Sequence, residues 1–98
     1  MKIDFSQELR ALDGKPFEKE PGVNANLGDM CVTALLTEVP KEPATPEDKL
    51  KRWELAKRLY EQKEVEVTAE DIALIKKMAG KVFLPALMGT LYDVLESK

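Results

Sequence analysis

The sequence predicts an α+β fold, an amino-terminal β-hairpin with a third short strand available to it, packed on about four α-helices. Two observations carry the prediction. Residues near the start alternate apolar and polar side chains with the period of a half-buried strand, and four later segments repeat apolar residues at helical spacing behind recognisable start signals. A third observation, the length of 98 residues, leaves room for one domain, because halves of such a chain would bury too little apolar surface. Residues 1–98 are therefore read as a single domain, with hairpin and loop in 1–25 and a helical part in 26–98 that includes a connector at 38–44.

The opening segment sets Ile3 and Phe5 between Lys2, Asp4 and Ser6, a strand pattern. Asp13-Gly14 tolerates the backbone of a tight turn, so Lys15 to Phe17 is expected to return as the second strand, with Pro16 holding it at an edge because proline donates no ladder hydrogen bond. Glu18 to Ala25 reads as loop. Asn26, with Asp29 three residues on, predicts a helix start, and Leu27, Met30, Cys31, Ala34 and Leu35 form one apolar face. Pro40 and Pro43 make 38–44 a semi-extended connector.

Thr45-Pro46-Glu47-Asp48 combines a cap, a proline at the first helical position and acids in the first turn, which predicts a helix running to about Lys63. Val65 and Val67 alternate with Glu64 and Glu66, giving a short strand able to add to the amino-terminal hairpin. Thr68 and Asp71 open a third helix whose face carries Ile72, Ile75, Met78, Ala79 and Val82, with Gly80 as its end or an interruption. The last helix begins near Pro85 and turns Leu84, Leu87, Met88, Leu91, Val94 and Leu95 inward.

Composition excludes several kinds of chemistry. The chain has no histidine, so Ser-His and Cys-His catalysis is absent and the commonest metal ligand is missing. Its one cysteine, Cys31, forms no internal disulfide, which favours a reducing compartment. Eighteen acidic and fifteen basic residues leave a net charge of −3, which offers no overall attraction to a phosphate backbone. The start of the chain lacks the apolar run of a secretory signal, and no stretch approaches a membrane span. The expected setting is the cytoplasm, with no membrane partner and with nucleic acid not the default partner. No catalytic, cofactor-binding or metal-ligating residue is assigned, and no cofactor is expected.

The second predicted helix carries the most informative surface. At about 100° per residue, Leu50, Trp53, Ala56 and Tyr60 occupy one side and Leu55 and Leu59 another, with Arg52 between them. An arc this wide fits a central helix packed on two neighbours; it also fits a partner-facing patch, since aromatic residues are enriched at interface anchors. Trp53, Tyr60, Leu55, Leu59 and Arg52 are the candidate partner-binding residues. The cations of this helix slightly outnumber its acids, and Thr68 to Gly80 has the length of a short DNA-reading helix, but Glu70 and Asp71 stand at the end that would enter the groove.

Leu12-Asp13-Gly14-Lys15-Pro16, Leu27-Gly28 with Ala34-Leu35-Leu36, Lys49 to Ala56, and Ile72-Ala73-Leu74-Ile75-Lys76-Lys77 together resemble small uncharacterised proteins encoded in tailed bacteriophages and prophages. The resemblance spans most of the chain and brings no functional residue with it. It implies a bacterial host cytoplasm and a role exerted through contacts. The expected function is that of a small non-enzymatic phage-type accessory protein acting by protein association, including self-association in a homo-oligomer. The alternatives are a self-assembling structural or assembly component of a phage particle and a nucleic-acid-associated regulator.

Overall fold

Asp4 ends the first strand by turning the chain. Its carboxylate accepts from both the backbone amide and the hydroxyl of Ser6, at 2.8 and 2.5 Å, a local competition that stops ladder formation. The computed structural model describes residues 2–39 and 44–96, apart from the Lys19 side chain. The elements run β1 (Lys2–Asp4), β2 (Glu18–Glu20), β3 (Val23–Asn24), α1 (Leu27–Leu36), α2 (Pro46–Leu59), β4 (Glu64–Glu66), α3 (Ala69–Val82) and α4 (Pro85–Glu96). The fold is α+β as predicted, with four helices and small antiparallel sheets among the described residues. Residues 40–43 of the expected connector lie outside the described residues.

β1 pairs with the short strand around Val65, as the sequence allowed, but not with the expected returning arm. Its partner is β4, antiparallel, with Ile3 opposite Val65, rather than Lys15 to Phe17. The backbone of Phe5 explains the choice: its amide donates to Lys63 O at 2.7 Å and its carbonyl accepts from Gly28 N at 2.7 Å, so both groups are taken by elements distant in sequence. The reversal at Asp13-Gly14 does form, since Gly14 N donates to Ala11 O and Lys15 N to the Asp13 carboxylate. Its returning arm pairs with the residues just before the turn. Arg10 faces Pro16, and the flanking bonds are Phe17 N to Leu9 O and Ala11 N to Lys15 O, so Pro16 occupies a position that asks for no amide hydrogen. Leu9 is carried into the core, fully buried.

A true hairpin lies where a loop was expected. β2 and β3 pair across Pro21-Gly22, where proline's fixed backbone and Gly22 at φ 81° reverse the chain without steric cost.

Local signals account well for the helices. Asn26, Thr45 and Thr68 cap α1, α2 and α3, each accepting from the amide three residues on, and Thr68 with Asp71 completes a reciprocal capping box. α2 stops at Leu59 instead of about Lys63. Glu61 takes φ 55° and Gln62 N bonds Leu59 O, a turn that frees residues 63–66 to lie beside β1. α3 continues through Gly80.

One apolar cluster unites these elements, drawing on Ile3, Phe5 and Leu9, on Leu27, Cys31 and Leu35 of α1, on Leu55 and Leu59 of α2, on Ile75 of α3, and on Leu91 and Leu95 of α4. α1 packs on both α2 and α3, and α4 packs on α3. Leu84 departs from its expected inward position: it is 80% exposed in the turn before α4, where its carbonyl accepts from Met88 N.

Candidate functional site

The wide apolar arc of α2 resolves into two faces. Leu59 and Leu50 are nine residues apart, which at about 100° per residue sets them on opposite sides of the helix. Leu55, Ala56 and Leu59 face the core and are buried, as is Arg52. Leu50, Trp53 and Tyr60 lie on the outer side at 55%, 49% and 59% exposure. Of the five candidate contact residues, then, Trp53 and Tyr60 are presented on the surface. Leu55, Leu59 and Arg52 are not, because they sit on the side where α1 covers α2. The central-helix account holds for one half of the arc, and the other half is exposed.

Lys57 lies one turn beyond Trp53, with its Nζ 5.7 Å from the indole centroid, a cation–π distance. Leu50, Trp53, Lys57 and Tyr60 thus form a continuous stripe along the outer surface of α2.

Arg52 performs a different task from the one its sequence position suggested. Its Nη1 donates to the carbonyl of Thr37 at 3.3 Å and approaches the Met78 sulfur at 3.8 Å. Thr37 is the C-cap of α1, so the guanidinium stands at the negative end of that helix dipole and satisfies one of its unpaired carbonyls. The side chain is buried on α2's inner face, and its Nη1 contact with Met78 is itself buried. Nε and Nη2 have no hydrogen-bond partner among the described residues.

A cavity of about 360 Å³ lies between the start of α2, the end of α3 and the residues flanking the connector. Lys49, Lys51, Arg52, Lys77 and Lys81 line it, against the two acids Glu38 and Asp48; Leu74 and Met78 contribute apolar surface. Glu38 is 4.0 Å from Lys49. Among the described residues, five cations and two carboxylates line it, whereas the chain as a whole is acidic. Sequence reasoning missed the cluster. Lys77 and Lys81 are one turn apart on α3, which is visible locally, but their meeting with Lys49 and Arg52 depends on how α3 sits beside α2.

No family model matches the chain, and no curated protein or solved structure matches it. Cys31 offers little reactivity: burial pushes its thiol pKa up to about 12, so it stays protonated and non-nucleophilic near neutral pH. No group of three or more Cys, Asp or Glu side chains among the described residues is arranged to hold a metal ion. No described helix is long and apolar enough to cross a membrane.

Proposed function

We propose that this protein acts by association without a catalytic step, and that the outer face of α2 binds a second copy of the chain. One observation carries the reading: Leu50, Trp53 and Tyr60 are large, exposed, and on the side of α2 turned away from its own core. With Lys57, they are spaced three, four and three residues apart, a palindromic interval. Two copies of α2 crossing antiparallel about a two-fold axis place Leu50 opposite the second copy's Tyr60 and Trp53 opposite its Lys57. A self-complementary surface of this kind is what an isologous dimer requires, and the Lys57–Trp53 contact made within the chain is available again between chains.

A contact along 14 residues of helix is about 21 Å long, small by the standard of stable interfaces, so the dimer forms reversibly with concentration. A role in phage or prophage biology in a bacterial cytoplasm belongs to the same proposal and rests on the sequence resemblance alone.

Sedimentation across a concentration series tests the association. Wild-type protein is expected to shift from monomer towards dimer below about 1 mM, where a contact worth about 4 kcal/mol is half formed. Trp53→Ala is expected to stay monomeric with an unchanged melting temperature. A wild-type monomer throughout that range, or a Trp53→Ala variant that dimerises equally well, overturns the proposal.

A further inference from the structure

We infer that Glu54 stands beside the two-fold axis of the α2 dimer and faces Glu54 of the second copy, so that its charge opposes association and the dimer tightens as ionic strength rises. The inference rests on the antiparallel contact of Leu50, Trp53, Lys57 and Tyr60, and adds to it the residue that regulates its strength.

Placement follows from helix geometry. Setting Leu50 opposite Tyr60 and Trp53 opposite Lys57 centres the axis beside residue 55, and Glu54 is one residue away, about 1.5 Å along the helix. At about 100° per residue it lies about 40° from Leu50 and about 60° from Lys57, and about 140° from buried Leu59. A two-fold axis perpendicular to both helices keeps each flank of the stripe on its own side, so Glu54 meets its own counterpart. Packed helices stand roughly 8 to 10 Å apart, which brings the two carboxylates within about 10 Å. Dilute salt does not screen that distance, since at about 0.01 M the screening length is about 30 Å.

No cation of the chain is paired with this carboxylate. Glu54 is exposed and makes no ion pair with a described residue. Arg58, four residues on and the natural partner along the helix, is held elsewhere: its Nη1 donates to the Asp71 carboxylate at 3.3 Å and its Nη2 to Glu66 O at 2.6 Å. The contact that ties the end of α2 to the start of α3 therefore leaves Glu54 without its cation. Orientation then fixes the sign. A parallel dimer of the same stripe would turn Glu54 towards Lys49 of the second copy, an attractive pair, whereas the antiparallel one sets like against like. Two like charges about 10 Å apart in water lower an association constant about twofold.

Sedimentation equilibrium of the full chain in about 0.02 M and about 0.5 M sodium chloride tests this. Glu54→Gln is expected to dimerise about twofold more tightly than wild type at the lower salt and equally at the higher, with an unchanged melting curve. Glu20→Gln, which makes the same change in net charge at an exposed position on β2, is expected to stay within about 1.3-fold of wild type. Wild type mixed with Glu54→Lys is expected to give a mixed dimer about fourfold tighter than the geometric mean of the two homodimers, beyond the statistical factor. Equal affinity of Glu54→Gln and wild type at low salt, an equal gain from Glu20→Gln, or a mixed dimer with no preference overturns the inference. A weaker Glu54→Gln dimer overturns it too, being the mark of the parallel arrangement. In all of these results wild type still dimerises and association stands; wild type and Glu54→Gln both monomeric to about 1 mM overturn the association itself.

Discussion

Gly80 and Tyr92 are predicted to be energetically coupled strongly enough that the benefit of one substitution depends on the other. Gly80 lies in the exposed part of α3, where replacing glycine by alanine ordinarily gains about 1 kcal/mol of helix propensity. A Cβ at position 80 would stand 3.1 Å from the Tyr92 hydroxyl, closer than such atoms normally come. That hydroxyl donates to Lys76 O at 2.6 Å, so it cannot retreat without stretching a hydrogen bond worth about 1 kcal/mol. Gain and loss are of the same size, and Gly80→Ala alone is expected to leave stability nearly unchanged. In a Tyr92→Phe background the obstructing oxygen is absent, and the same substitution is expected to stabilise by about 1 kcal/mol, or about 4 to 8 °C in Tm for a chain of this size. Urea and thermal melts of the four proteins give the coupling directly. If Gly80→Ala has the same effect in both backgrounds to within about 0.3 kcal/mol, the close approach does not govern helix α3 and the reasoning fails.

Opposite faces of α2 are expected to respond oppositely: Leu59→Ala costs about 2 to 5 kcal/mol in a urea melt, whereas Leu50→Ala changes stability by less than about 0.5 kcal/mol. Thr68→Ala removes half of the α3 capping box and is expected to cost about 1 kcal/mol, read by the same melt. Cys31 is expected to resist thiol reagents at pH 8 until denaturant opens the core; rapid labelling of the folded protein would contradict its burial. Its raised pKa also fixes a sign. Above the ordinary value of 9.0 and up to about 12, the unfolded chain has lost a proton that the folded chain keeps, so this thiol lowers stability as pH rises through that window and contributes no pH dependence below it.

Much of the helical framework was legible before any tertiary information. Asn26, Thr45 and Thr68 cap helices because a side-chain oxygen three residues before an amide is a local arrangement, written in the order of residues. The inward faces of α1 and α3 follow from periodicity for the same reason. The strands were less legible. The alternation around Val65 marked a possible partner for β1, but that this strand displaces the Lys15 to Phe17 arm goes with the bonds of the Phe5 backbone to Lys63 and Gly28, which sequence spacing does not reveal. Leu84 and Leu9 show the same limit at single positions: one apolar residue is left outside in a turn and another is drawn to the centre by an irregular segment.

Sequence alone determined where helices begin, which of their faces are apolar, and that acid–base chemistry centred on imidazole is absent, since these depend on residue identity and short-range spacing. Tertiary packing decided which side of α2 is covered, because the helix has apolar residues on opposite faces and only the placement of α1 selects between them. It also decided that Arg52, Lys49 and Lys77 share one cavity, since α2 and α3 supply charges whose nearness depends on how two helices are docked.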